Sequence, residues 1–256
     1  MDNVKLVSIT QPVKITNEQI LKDLNPEELV VYIARVSNPD NQANKETAPK
    51  LINYLINHKH WSPFEFIDMT VEIITRRSIA AQILRHKSFS FQEFSQRYSL
   101  ASEIEMIEFR KQSLNNRQSS EEIINDEKLK NFIEQHFHNS KMIYDMLISN
   151  GISKETARDV LPLSTKTRMY MKGSVRSWIH YLELRCSPDT QKEHRIIANE
   201  IKSIFIDQFP NISEALGWQK INGEEENNQQ EENKQQEEIQ KEEFNSEDGE
   251  IQNENL

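Results

Sequence analysis

The sequence predicts an α+β fold, and three observations carry that prediction. Segments with a period of two are separated by helical segments, without the regular strand-helix-strand alternation that builds a parallel sheet. Only five glycines occur in 256 residues, and neither a Rossmann nor a P-loop glycine pattern is present. With 36% apolar residues the chain can bury one substantial core, yet no stretch approaches the roughly 20 continuous apolar residues of a membrane span.

The elements follow in order. Val4 to Ile9 has strand chemistry. Asn25-Pro26-Glu27-Glu28 announces a helix by its cap, a proline at the first position and early acids, and the helix should end at Ser37-Asn38-Pro39. Pro49 to His58 carries Leu51, Ile52, Leu55 and Ile56 at helical spacing, followed by the turn His60-Trp61-Ser62-Pro63-Phe64-Glu65. Ile67, Met69, Val71 and Ile73 alternate with Asp68, Thr70 and Glu72, the period of a half-buried strand. Ser78 to His86 is then helical, with Gln82, Arg85 and His86 on one face at its end. Ser88 to Phe94 is expected as a loop and Ser95 to Tyr98 as extended chain, which would put Ser95 and Arg97 on one side. A long helix is expected from Glu121 to Ser149, stopped by Asn150-Gly151, with a short one from Lys154. Thr165, Thr167, Met169 and Met171 mark a further strand. Ser174 can cap a helix to Leu184, and Asp189 a last one through Ile196, Ile197, Ile201, Ile204 and Phe205.

Charge divides the chain. Residues 223–256 hold thirteen acids against two lysines, a net of −11, which leaves residues 1–222 at +1 out of the chain's −10. The Glu/Gln/Asn-rich segment has too little apolar surface to offset its ordering entropy, so a disordered tail is expected beyond a functional domain of residues 1–222. The start of the chain lacks the pattern of a secretory signal or transit peptide, and a cytoplasmic protein with no membrane partner is expected. Cys186 stands alone, so one chain cannot build a disulfide framework or a thiolate metal site. His136 and His138, two apart on a helix, face different ways and make a poor metal pair; no metal is expected.

The densest chemistry lies between Arg85 and Arg97. Arg85-His86-Lys87, seven residues, Ser95, one residue and Arg97 together offer three cations, a histidine and a hydroxyl, a set able to hold several anionic oxygens. The spacing resembles the signature of flavin-dependent thymidylate synthases, with Lys87 where family members usually carry arginine. Ala34-Arg35-Val36-Ser37, His60 to Glu65, Ala157-Arg158-Asp159-Val160-Leu161-Pro162-Leu163, and Val175-Arg176-Ser177 through Leu184-Arg185 are similar to family segments in family order. The resemblance spans roughly residues 27–209.

It implies that FAD carries the redox chemistry, NADPH reduces it, methylenetetrahydrofolate supplies one carbon, and dUMP becomes dTMP in a homotetramer with shared sites. It assigns flavin contacts to Ser37, His60, Arg85, His86, Lys87, Glu93, Ser174, Val175, Arg176 and His180. It assigns dUMP contacts to Gln82, Ile83, Leu84, Arg85, Glu93, Phe94, Ser95, Gln96, Arg97, Arg158 and Arg185. Arg185, set against the uracil ring, is the expected catalytic residue, because a guanidinium stabilises charge on the imide without having to titrate. Ser174 and His180 stand where the family commonly has asparagine; serine there also suits a helix cap, and the histidine a packed core position. Cys186 reads as a small buried apolar group rather than a nucleophile.

Two other readings stay open at this point. One is a non-catalytic nucleotide- or nucleic-acid-binding module, against which the near-neutral 1–222 region argues, since nucleic-acid binding calls for a broad basic face and no such partner is expected. The other is a helical interaction protein built on the long helix and the acidic tail.

Overall fold

In the computed structural model, whose described residues are 3–13, 23–100, 103–114 and 116–219, helices pack on one antiparallel sheet. The compact unit ends at Leu216. The segment from Gly223, expected as a tail, lies outside the described residues.

The sheet has the order β1 (Val4–Ile9), β2 (Asp68–Arg76), β6 (Lys166–Ser174) and β3 (Ser90–Glu93). β2 and β6 pair along their whole length, from Asp68 against Ser174 to Arg76 against Lys166. That register puts Met69, Val71, Ile73, Met169 and Met171 on one face, all fully buried. The period-two reading of both strands therefore holds, and the register cannot slip by one residue without exposing this whole set.

Against that face lie α3 (Arg77–Ile83), α6 (Val175–Arg185) and α7 (Lys192–Gln208), bringing Ile79, Ile83, Trp178, Ile179, Ile201 and Phe205 into one core. Trp178 satisfies its indole N–H on the Met69 carbonyl at 3.0 Å, so its large apolar body is buried without an orphaned donor. Gly173 has a packing reason: a Cβ there would stand 2.5 Å from two ring carbons of Phe89, and that ring in turn packs edge-on against Trp178 at 4.7 Å. The loop carrying Arg85 to Lys87 is thus anchored to the core just beyond the charged residues.

α1 (Pro26–Ala34) opens with the expected cap at Asn25, and the Glu28 side chain returns a bond to the Asn25 N–H, which completes a capping box. α2 (Ala48–Asn57) ends in a Schellman motif: Lys59 N–H bonds the Ile56 carbonyl at 3.0 Å and His60 N–H the Leu55 carbonyl at 2.8 Å. Lys59 takes φ +57, the left-handed conformation in which glycine usually serves. α4 (Glu127–Ser149) ends the same way, with Gly151 at φ +82.

Four expectations are corrected. Ser88 to Phe94 is not all loop, because Ser90 to Glu93 finds the free edge of β6. Ser95 to Tyr98 is a helical turn, closed by Tyr98 and Ser99 N–H on the Ser95 carbonyl, so the strand argument for pairing Ser95 with Arg97 fails. The long helix starts at Glu127, because Asp126 caps it through Lys128 and Leu129 N–H while Ser120–Ile123 forms the hairpin strand β5 with β4 (Arg110–Gln112). Asp189 is not a cap; α7 begins after Gln191 with no side-chain cap. The short helices α5 (Lys154–Ala157) and α8 (Pro210–Ala215) complete the unit.

Candidate active site

The strand-helix junctions gather the charged residues. α3 runs off the end of β2, and its last turn presents Gln82 and delivers Arg85, His86 and Lys87 into the loop beyond. Arg185 is the last residue of α6, which leaves β6 in the same way. The two helix ends meet where Arg185 Nε donates to His86 Nε2 at 2.9 Å. An arginine has no lone pair, so the His86 ring accepts at Nε2 and carries its proton at Nδ1. Burial and the Arg185 charge both push its pKa down, to about 4. His86 is therefore a neutral prop that fixes the guanidinium through its Nε–H.

Behind this pair runs a polar chain. Tyr181 O–H and His194 Nε2 lie 3.0 Å apart, His194 Nδ1 and Gln82 Oε1 3.3 Å, and Gln82 Nε2 donates to Gln191 Oε1 at 2.6 Å. Gln191 donates to Glu193 at 2.9 Å, and Glu193 pairs with Arg76 and Arg110 at 2.8 Å each. Burial pushes the Glu193 carboxyl up, but its hydrogen bonds, led by Arg110, outweigh that and hold it at about 2. Burial and the nearby Arg185 charge push His194 down to about 3.

A second group surrounds Glu65. Its carboxylate accepts from Ser174 Oγ at 2.6 Å and from Arg176 at 2.8 Å. Ser174 also caps α6 through Ser177 N–H, so the capping reading is correct, and its hydroxyl is committed to Glu65. His180 is not a core histidine: its side chain is 47% exposed and meets the edge of Trp61 at 5.1 Å. His60, exposed at the end of the α2 cap, sits at 5.9 Å from the Tyr54 ring. Ser37 is exposed after α1, where Arg35 braces the following loop through the Asn41 carbonyl and Thr47.

The remaining predicted contacts lie apart from the Arg185 pair. Ser95, Arg97, Tyr98, Ser153, Lys154 and Glu155 line an open cleft of about 300 Å³, in which Arg97 gives two bonds to Glu155 at 3.0 and 3.2 Å. Gln96 and Arg158, with Arg77, line a second cleft of about 330 Å³. Gln96 is buried, and its amide nitrogen has no hydrogen-bond partner among the described residues. Glu93 accepts from Thr167 at 2.8 Å and Arg77 at 3.3 Å. No hydrogen bond or ion pair among the described residues joins these groups to Gln82, His86 or Arg185.

Three predicted contacts are backbone or core positions. Ile83 and Val175 are fully buried, and Val175 N–H is already spent on the Ile67 carbonyl at 2.7 Å. Phe94 N–H is spent on Arg168. Burial raises the Cys186 thiol to about 11, which removes the thiolate a nucleophile needs and fits its reading as a small packed group. His136 and His138 are exposed.

Sequence reasoning assigned no role to Glu65, Tyr181, His194, Gln191, Glu193 or Glu155. Glu65 sits in a segment already singled out, but its partners Ser174 and Arg176 lie 109 and 111 positions away, and no local pattern announces that pairing. Tyr181 and His194 meet across the turn between α6 and α7, and no local pattern announces that.

Comparison with known proteins decides the family. The model of the thymidylate synthase complementing protein family matches residues 19–211. This chain belongs to that family. Within it, a flavin-dependent thymidylate synthase of Synechocystis sp. is 49% identical over 220 residues, covering 84% of this chain and 100% of the relative. A probable flavin-dependent thymidylate synthase of Paramecium bursaria Chlorella virus 1 is 48% identical over 221 residues, covering 84% and 99%. A flavin-dependent thymidylate synthase of Thermus thermophilus is 32% identical over 194 residues, covering 75% and 72%. The family match runs from before α1 to within α8, and so contains every residue predicted for the site.

Proposed function

We infer that this chain is a flavin-dependent thymidylate synthase, converting dUMP to dTMP with FAD as cofactor and a folate as one-carbon donor. The observation that carries the reading is the 49% identity across the whole length of the Synechocystis enzyme. The finer assignments are ours: NADPH as reductant, methylenetetrahydrofolate as the folate, a homotetramer with shared sites, a cytoplasmic location, and activity confined to residues 1–222. No helix among the described residues is long and apolar enough to cross a membrane.

The residues fit a flavin nucleotide. Arg85 and Lys87 are exposed and make no ion pair among the described residues, so both charges are free for anionic oxygens. His60, exposed His180 and Arg176 stand ready on the Glu65 side. Ser174 donates to flavin only by giving up or sharing its bond to Glu65. When bound, FAD supplies the redox chemistry that an arginine-rich site cannot.

The chain's own work is electrostatic and positional. Arg185, held by His86, opposes negative charge on the pyrimidine imide and needs no proton transfer to do so. Neutral His86 cannot repel the guanidinium beside it. Gln82 orients the nucleotide from the end of α3. Ser95, Arg97, Gln96 and Arg158 are assigned to its phosphate and sugar side, with the orphaned Gln96 amide offering a buried donor to an oxygen. Arg97 reaches a phosphate by exchanging Glu155 for it.

The test is release of tritium from dUMP labelled at C5, with FAD, NADPH and methylenetetrahydrofolate, beside an Arg185→Ala control. FAD-dependent release that collapses in the control is expected. Folded, flavin-loaded protein that releases none would overturn the reading.

A further inference from the structure

We propose that Tyr181 and His194 are positioning residues that fix the Gln82 amide so that it meets dUMP as a hydrogen-bond donor. This rests on the dUMP reading above and adds two residues that it does not contain.

The polar chain is anchored at its charged end. Glu193, gripped by Arg76 and Arg110, is an ionised carboxylate and can only accept, so the Gln191 group facing it is the NH2. Gln191 therefore turns its carbonyl to Gln82, and Gln82 answers with its own NH2 at 2.6 Å. That leaves Gln82 Oε1 facing His194 Nδ1 at 3.3 Å, so Nδ1 carries the ring proton. His194 Nε2 is then a lone pair, and Tyr181 O–H donates into it at 3.0 Å. Every bond has one direction, and each is set by the one before.

The geometry gives this order a consequence. His194 is fully buried and Tyr181 nearly so, whereas Gln191 is exposed. The Gln82 carbonyl is thus turned inward, and its NH2, whose second N–H makes no hydrogen bond among the described residues, lies on the open side. A nucleotide oxygen can accept from it; a nucleotide amine cannot.

Tyr181 is the lock at the far end. Without its hydroxyl, His194 can carry its proton at Nε2 instead and turn a lone pair towards Gln82 Oε1. Two acceptors then face each other, and a flipped Gln82 would only move the conflict to the Gln191 carbonyl that Glu193 holds in place, so the amide loses its inner anchor and no longer holds its N–H on the nucleotide.

The experiment is equilibrium binding of dUMP to flavin-loaded protein, with flavin content and thermal stability recorded for each variant. Tyr181→Phe should weaken dUMP about three- to tenfold, the range for one hydrogen bond, with flavin content unchanged. His194→Leu should weaken it about tenfold, and His194→Gln, which can accept from Tyr181 and donate to Gln82, should restore most of the loss. Gln82→Glu lies on the half-exposed end of α3, keeps the shape and removes the donor; its loss should reach at least about tenfold. Wild-type affinity in folded Tyr181→Phe and His194→Leu, or unweakened binding by Gln82→Glu, would overturn the proposal alone. Wild-type protein that takes up flavin but binds no dUMP would overturn the functional reading and this proposal together.

Discussion

The two regions that carry the expected nucleotide contacts are built on opposite terms. Around Arg185 the side chains are half-buried or buried and joined through His86, Gln82 and His194, so their geometry exists before any ligand arrives. Around Arg97 the cleft is open, and the arginine, 66% exposed, is paired with a Glu155 that is 55% exposed. The first region has spent its entropy during folding and is suited to stabilising charge in a transition state. The second spends it on binding and is suited to affinity. Variants of Arg185, the charge-stabilising group of the first region, should lower kcat, and variants in the second should raise KM.

The largest expected effect tests that division at its centre. Arg185→Lys keeps the charge but loses the Nε–H that His86 accepts, and the planar fork with it. We expect kcat/KM to fall roughly 10²- to 10³-fold, mostly in kcat, at unchanged flavin content. A lysine variant of near-normal kcat would mean that charge alone suffices and that the fixed geometry is idle.

The open cleft should respond differently. Arg97→Ala should raise KM for dUMP about 10- to 100-fold and leave kcat within a few-fold, the loss of a charge-assisted contact. Glu155→Gln removes the competitor. Since an exposed ion pair is worth at most about 1 kcal/mol, KM should fall no more than about fivefold. A Glu155→Gln variant that bound dUMP more weakly would show that the carboxylate helps the ligand instead of competing with it.

The same contrast explains what was legible in the sequence. Period-two alternation gave β2 and β6, because each faces one core, and capping chemistry gave α1 and the start of α6. The motif residues from Arg85 to Arg97 were visible as residues, but their grouping was not. β3 forms only because β6, some 80 residues later, offers a free edge, and the turn at Ser95 follows from where that edge strand ends. The Tyr181–His194 pair depends on how α6 and α7 pack, a tertiary fact with no local trace. Ser174 was read correctly as a cap because capping is local; its bond to Glu65, 109 positions away, was not.

Acid should sharpen the comparison by attacking the buried region first. Unfolded, His86 and His194 take up protons near their ordinary value of 6.5; folded, burial and Arg185 keep them neutral until pH nears 4 and 3. Between those limits the unfolded chain binds more protons, so unfolding free energy rises with pH and is lost on acidification. From pH 6.5 to 5 the loss should be about 2 kcal/mol for the buried His194 and less for the partly buried His86. Urea midpoints at pH 7 and 5 read it, and His194→Leu should flatten the dependence by its share. An unaltered slope in that variant would mean that His194 is already charged in the folded protein, which would reverse the Tyr181 bond while leaving Nδ1–H on Gln82.

The smallest effect concerns how the exposed rim is shaped. α2 and α4 end in the same Schellman motif, but one places glycine in the left-handed position and the other Lys59. A residue with a Cβ there costs roughly 1 kcal/mol, partly offset by the greater entropy that glycine has when unfolded. Lys59→Gly should therefore stabilise by about 0.5 kcal/mol, a shift of a degree or two in Tm. Flavin occupancy should not change, because His60 is placed by its own N–H on the Leu55 carbonyl and by no side-chain contact of Lys59. A gain in stability accompanied by flavin loss would show instead that the Lys59 ammonium is one of the cations holding the cofactor, and that the strain persists because that charge is needed at that point.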